Sequence, residues 1–247
     1  MLTQLSDVLG KLVNVLGGTR PSAAPPAGSP DTLKGFTVTG DAAEQGVLAG
    51  ALTKIGGSTI GASLLTAARD KGIVLDIADD AEFDKVTQGK AATAAAVYYL
   101  GPGDVRTVVL RASQLNSGGA DNVTHMLTHE LIHAVQSLDG EYAQGTYAKA
   151  IGAQAAGLSA DQLETGMTLM REAGAEFVAG AIDAQLADPA GFASVAADKD
   201  RLKRNMDSSA DRSWKTVNEG GYNPRGYQLP QYISPTARAI LDAGVSQ

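Results

Sequence analysis

Hydrophobic residues recur every three to four positions in several stretches of the chain, which is the spacing of an amphipathic helix. Ser159 and Gln162 fit a capping box at the start of the longest such stretch, and Asp188-Pro189 marks its end. The pattern predicts helices over 2–16, 41–55, 58–70, from Asp121 to about Leu138 and from Ser159 to Asp188, one or two helices after that, and a last short helix at S-P-T-A-R-A-I-L.

Strand-like patterns concentrate in the first half of the chain. Runs of β-branched and apolar residues bounded by turn residues occur at G-F-T-V-T-G (35–40) and G-I-V-L-D-I-A-D (72–79). The segment over 96–112 predicts a β-hairpin with a Gly-Pro-Gly turn. Strands early and helices late predict an α+β domain with a small mixed sheet.

The first part of the chain differs from the rest in composition. Residues 17–32 hold four of the nine prolines and predict a flexible linker, so the chain divides into an arm, 1–32, and a folded domain, 33–247. The helical arm is expected to dock on its own domain, or to serve as a partner site, a membrane-surface contact or a delivery signal. A secretion chaperone that binds residues 1–30 is one such partner.

Composition removes several function classes. The hydrophobic fraction of 44% is typical of a soluble globular protein, and the longest apolar run is too short for stable membrane insertion. A net charge of −7 argues against nucleic-acid binding. The opening segment lacks the basic region of a secretory signal peptide. The absence of cysteine excludes thiolate ligands, so any metal must be held by imidazole and carboxylate.

The three histidines of the chain are spaced four residues apart, at His125, His129 and His133, and the last two belong to the pattern H-E-L-I-H. On a helix, residues i and i+4 lie on one face, so His129 and His133 can offer two nitrogens to one ion. Glu130 lies about 100° further round, where a general base can reach a metal-bound water. A third ligand from the same straight helix would not enclose the ion, so His125 is interpreted as lining of the cleft or plain surface.

A catalytic zinc site needs three protein ligands and one open position. The third ligand is expected to be a carboxylate from another helix, and M-R-E-A-G-A-E-F offers Glu172 and Glu176 on one face of the long helix. One division makes Glu172 the ligand, with Glu176 bonded to a ligand imidazole. The weaker alternatives are three aspartates, Asp139, Asp161 and Asp183.

These parts predict hydrolysis of an amide bond. A zinc ion would polarise the carbonyl and acidify its water, and Glu130 would carry the proton to the leaving amine. The developing oxyanion needs a further donor. The loop G-G-Y-N-P-R-G-Y-Q-L-P-Q-Y is the expected source, since it supplies Arg225, Tyr227, Tyr222 and Tyr232.

The helix H-E-L-I-H-A, followed by Leu138 and Gly140, resembles the zinc helix of clostridial neurotoxin light chains. Over 33–232 the chain is more similar to the NleD-like family of bacterial type III effector metallopeptidases. That family has an E-A-x-A segment with a nearby glycine, and a later loop with P-R and a tyrosine. The segments that resemble these motifs are Glu172-Ala173-Gly174-Ala175 with Gly180, and Pro224-Arg225 with Tyr227.

Two positions depart from the family pattern. Gly180 comes later after E-A-x-A than expected, and Tyr227 follows Arg225 one residue sooner. The choice between Glu172 and Glu176 as third ligand therefore stays open, and Tyr232 competes with Tyr227 as oxyanion donor.

The resemblance implies a zincin-like fold and a zinc-dependent endopeptidase. It also implies a protein made in the bacterial cytoplasm, secreted, and delivered into a target cell, where it cleaves a host protein such as a signalling kinase or an exocytosis protein.

The complete hypothesis is one Zn²⁺ per chain on His129, His133 and Glu172, with Glu130 as base and Arg225 with a tyrosine at the oxyanion. An extended substrate is expected to pair with the strand within 105–111. Two alternatives remain: a catalytically inactive zinc-fold binding protein, and a structural protein with a fortuitous motif.

Overall fold

A computed structural model describes residues 31–69, 71–89, 94–100, 105–117, 120–143 and 145–246. The predicted arm helix over 2–16, nearly all of the linker, and the Gly-Pro-Gly turn of the hairpin lie outside these residues. The four strands are β1 (Thr37–Val38), β2 (Val74–Ala78), β3 (Ala96–Leu100) and β4 (Arg106–Arg111). The helices are α1 (Ala42–Gly56), α2 (Thr59–Ala68), α3 (Asp80–Thr87), α4 (Ala112–Ser117), α5 (Ala120–Leu138), α6 (Thr146–Ile151), α7 (Ala160–Ala187), α8 (Pro189–Ala196), α9 (Lys199–Val217) and α10 (Pro235–Val245).

Contacts divide the chain into two compact units. Among the described residues, the first unit contains those up to Gly57 and those within Leu64–Ala134, and the second contains Ser58–Ser63 and those from Val135 onward. Helices α2 and α5 each begin in one unit and end in the other. The α+β class with a small mixed sheet is confirmed, whereas a single folded domain over 33–247 stays a prediction.

The first unit is built on a four-stranded sheet in the order β1-β2-β4-β3. β2 pairs in parallel with β1 and with β4, and β3 pairs with β4 as the antiparallel hairpin that the sequence predicts. β4 is therefore an interior strand with partners on both sides. The prediction that a substrate strand pairs within 105–111 is wrong, because the backbone groups of β4 are already used.

Helix α3, which the pattern analysis did not predict, closes one face of this sheet. Phe83 and Val86 pack with Ala78 and Val109 in a buried apolar cluster. The buried Arg111, at the end of β4, pairs with Asp84 at 2.7 Å, and its guanidinium lies 4.3 Å from the centre of the Phe83 ring. A buried charge is tolerated when it is paired and bonded in this way.

The second unit is organised around the long helix α7, which packs against α6, α8, α9 and α10. The predicted capping box is confirmed: Ser159 accepts from the backbone N–H of Gln162, and the Gln162 side chain accepts from the backbone N–H of Ser159. The helix ends at Ala187, just before Asp188-Pro189, as predicted. Among the described residues, no helix is both long and apolar enough to cross a membrane.

Tyr147 on α6 is the largest fully buried side chain of this second unit. Its ring lies against Gly166 of α7, where a Cβ atom would overlap the ring. Its hydroxyl donates to the carbonyl of Pro230, which anchors the loop before α10. Burial raises the pKa of Tyr147 to about 12, because the charged phenolate would lose its water.

This close approach predicts that Gly166→Ala lowers the free energy of unfolding by about 1–3 kcal/mol, since the added methyl must displace the Tyr147 ring. Gly180→Ala is the matched control on the same helix, because Gly180 is exposed and a Cβ there meets nothing within 4 Å. The control is expected to raise stability by about 0.5–1 kcal/mol through better helix propensity. Urea titration followed by circular dichroism measures both; equal effects of the two substitutions would contradict the packing argument.

Candidate metal centre

The two histidines of H-E-L-I-H lie together on α5, as their spacing predicts. Their Nε2 atoms are 3.0 Å apart, and their rings meet edge-on with centroids 4.7 Å apart at an interplanar angle of 80°. His133 is buried at 5% exposure, and His129 is partly exposed. One nitrogen of each ring therefore points at the same small volume.

Glu172 of α7 completes the group. One ligand atom from each of His129, His133 and Glu172 can be chosen so that all three lie within 4.8 Å of one another. Glu176, His125 and the predicted aspartates are not members of this group. Of the two glutamates that the sequence left open, the geometry selects Glu172, whereas a bond from Glu176 to a ligand imidazole stays a prediction.

The donor set fits a zinc ion. Tetrahedral zinc with Zn–N distances of about 2.0–2.1 Å holds two nitrogens about 3.3 Å apart, close to the 3.0 Å between the two Nε2 atoms. Two imidazoles and one carboxylate form one of the ligand sets that catalytic zinc sites use, with a fourth position left for water or substrate.

Glu130 points towards the sheet. Its Oε2 atom accepts a hydrogen bond of 2.6 Å from the backbone N–H of Tyr98 on β3. The predicted base is thus adjacent in sequence to His129 but is held by a backbone donor of another element. This bond fixes the direction of the carboxylate without using a ligand position.

The direction of the Tyr98 N–H follows from the β3–β4 ladder. Arg111 N–H donates to the Ala95 carbonyl, so this pair is hydrogen-bonded, and bonded pairs alternate along an antiparallel ladder. Tyr98 pairs with Val108 at a non-bonded position, so its N–H points away from β4. The Tyr98 N–H therefore lies on the outer edge of β3, where it donates to Glu130 instead of to β4.

The two residues predicted to bind the oxyanion, Arg225 and Tyr227, bond each other and Asp161. Arg225 Nη1 lies 2.8 Å from Asp161 Oδ2 and donates to the Tyr227 hydroxyl at 2.9 Å, while that hydroxyl donates to Asp161. The hydrogen bond with Tyr227 and the charge of Asp161 raise the pKa of Arg225 above its ordinary value. We call Asp161, Arg225 and Tyr227 the loop clasp.

The loop clasp lies well away from the third ligand. Asp161 precedes Glu172 by eleven residues on α7, which corresponds to three helical turns on one face and a rise of about 16 Å. In this conformation neither Arg225 nor Tyr227 is brought next to Glu172, so their role at the oxyanion stays a prediction. Tyr232 is partly exposed, and its role is equally untested.

Two polar residues near these groups escaped the sequence analysis. Asn223 is buried and shapes the loop, because its side chain bonds Asn218 and both the N–H and the carbonyl of Tyr227. Gln136 is fully buried on α5 and donates to the carbonyl of Arg171, next to Glu172. For Gln136 a signal existed, since an amide on the same helical stripe as two ligand histidines is unusual in a core position.

Comparisons of this chain with family models, with curated proteins and with solved structures found no significant match. The resemblance to the NleD-like family therefore stays a prediction, and the site is interpreted from its own residues.

The geometry predicts that wild-type protein purified without chelator carries about one zinc per chain and that His133→Ala carries none. His125→Ala is the matched control, since His125 lies one turn from the group but outside it. Zinc at one hundred times its Kd would stabilise the fold by about 2.7 kcal/mol, so chelator should lower the Tm of wild type and of the control only. Elemental analysis and thermal melts measure both; loss of zinc in His125→Ala would mean that the ligand set is wrong.

The bonds of the loop clasp predict that Tyr227 and Asp161 stabilise the fold jointly. Tyr227→Phe and Asp161→Ala should each lower stability by about 0.5–1.5 kcal/mol, and the double variant should lose less than the sum. A double-mutant cycle in urea measures the coupling. A loss of turnover in Tyr227→Phe that Asp161→Ala does not share would instead support the oxyanion role.

Proposed function

We propose that this protein is a zinc-dependent metalloendopeptidase. The observation that carries the proposal is the grouping of His129, His133 and Glu172, together with Glu130, which follows His129 in the chain and whose carboxylate accepts from the Tyr98 N–H. Three neutral or anionic ligands together with a carboxylate base are the parts that metal-assisted hydrolysis of a peptide bond requires.

The chain's own groups have distinct tasks. When bound, zinc supplies a Lewis acid for the scissile carbonyl and lowers the pKa of a water molecule. Glu130, whose Oε2 accepts from the Tyr98 N–H, would take a proton from the attacking water on its carboxylate and pass it to the leaving nitrogen. His129, His133 and Glu172 would hold the ion, and the carboxylate of Glu172 would offset part of its positive charge.

The substrate is proposed to be an extended segment of a protein that lies along β3. Strand addition needs an edge with outward N–H and carbonyl groups, and the non-bonded positions of β3 at Ala96 and Leu100 point outward, on either side of the Tyr98 N–H that donates to Glu130. Because Glu130 reaches the edge at Tyr98, a peptide paired there would place its backbone beside the base. In this proposal β3 replaces β4 as the strand that pairs with the substrate, because β4 is an interior strand.

We extend the proposal to a secreted effector or toxin that cleaves a protein of a target cell. Its support is the resemblance of H-E-L-I-H-A and of the segment that begins at Glu172 to the motifs of effector metallopeptidases. The linker over 17–32 is rich in proline, serine and alanine, a composition compatible with an unfolded export leader.

The proposal predicts that Glu130→Gln keeps its zinc but loses catalysis. The amide has the shape of the carboxylate but cannot accept the proton, so kcat should fall by about 10²–10⁴-fold. A peptide library made from a cell-lysate digest, incubated with the protein and read by mass spectrometry, measures cleavage. Glu164→Gln is the matched control, because Glu164 is exposed on α7 and lies outside the metal group.

Each outcome separates the candidate functions. Cleavage by wild type and Glu164→Gln, but not by Glu130→Gln, supports the peptidase. Zinc binding with no cleavage of any peptide or protein substrate would favour the catalytically inactive binding protein. No zinc at all, even after incubation with the metal, would overturn the proposal.

A further inference from the structure

Gln136 continues the histidine stripe of α5. It follows His133 by three residues and His129 by seven, so the three side chains lie along one face of the helix. Its side chain is fully buried, with 0% exposure. A buried amide must have its polar atoms bonded, so its position in the core is specified by its partners.

One partner is the backbone of α7. Gln136 Nε2 donates to the carbonyl oxygen of Arg171 at 3.0 Å. Arg171 directly precedes Glu172, so this bond connects the turn of α5 that follows His133 with the turn of α7 that bears the third ligand. The bond is specific for one axial position of α7. If α7 were shifted by one residue, the nearest carbonyl would lie about 1.5 Å away along the helix axis and about 100° round it.

The packing around this bond leaves little room for movement. A Cβ atom at Gly174 would lie 3.1 Å from Gln136 Nε2 and 2.6 Å from the Cβ of Ser234. Ser234 is itself fixed, because its hydroxyl donates to the buried carboxylate of Glu141 at 2.7 Å. The glycine therefore allows α7 to approach both Gln136 and the start of α10.

We propose that Gln136 is a positioning residue for the metal group, which sets the position of Glu172 relative to His133 through the Arg171 carbonyl. The inference rests on the proposed zinc site but adds a residue that binds neither metal nor substrate. Polar groups that hold metal ligands in place typically change metal affinity by about 10–100-fold when they are removed.

The test uses the full-length protein and zinc itself as the probe. Gln136→Met keeps the length and approximate volume of the side chain but removes the donor, and Gln136→Glu keeps the shape while replacing the donor with a charge. Zinc affinity is measured by competition with a chromophoric chelator, and ligand geometry by the visible absorption spectrum of the cobalt(II)-substituted protein. Gly174→Ala serves as an independent variant, since it perturbs the same contact from the side of α7.

Matched controls separate positioning from general loss of stability. Ile182→Val and Ile182→Ala remove buried volume on α7, ten residues and about 15 Å beyond Glu172. Of these two Ile182 variants, the one whose Tm falls by the same amount as that of Gln136→Met serves as its control. Circular dichroism confirms that each variant is folded.

The expected result is a zinc Kd raised about 10–100-fold in Gln136→Met and Gly174→Ala, with an altered cobalt spectrum, and an unchanged Kd in the Ile182 control. An unchanged Kd and spectrum in a folded Gln136→Met protein would overturn the inference while leaving the zinc site intact. A wild-type protein without zinc affinity would instead overturn the proposed function, and the inference with it.

Discussion

Backbone hydrogen bonds fix the direction of every Cα–Cβ bond on a helix, and the arrangement of α5 depends on that constraint. Its turns point His129 and His133 at one volume, turn Glu130 towards the N–H of Tyr98, and bring Gln136 to the carbonyl of Arg171. The helix fixes the face from which each of these side chains leaves, so the two candidate ligands, the proposed base and the proposed positioning amide are placed by one element, and their partners then select the rotamers. The role of the remaining structure is to supply partners at the right places.

Local rules predicted the parts of the fold that local interactions determine. The capping box at Ser159, the end of α7 before Asp188-Pro189, and the helix with both histidines follow from side chains within four residues of one another. The hairpin of β3 and β4 is equally local, because its paired strands are close together in the sequence. The helical arm over 2–16 lies outside the described residues and stays a prediction.

Long-range pairing could not be predicted in the same way. Whether β4 is an interior or an edge strand depends on β2, which is about thirty residues earlier and pairs in parallel, and no pattern within β4 itself reveals that partner. Glu172 and Glu176 share one face of α7, so periodicity cannot choose between them, whereas the position of His133 does. The prediction that Arg225 and Tyr227 bind the oxyanion rests on residue type. Their bonds to Asp161, more than sixty residues earlier, cannot be predicted from sequence spacing.

The start of α10 stabilises a buried carboxylate of the second unit, that of Glu141. Glu141 is 4% exposed, and its two oxygens accept from the Ser234 hydroxyl and from the backbone N–H of Thr236, each at 2.7 Å. Both donors lie at the N-terminus of α10, where unpaired N–H groups and the helix dipole favour a negative charge. The segment that follows α5 is thereby bonded to α10, and Ser234 is held against Gly174. A charge that would be costly in an apolar core is stabilised by a helix end, and the same bonds keep α7 close to Gln136.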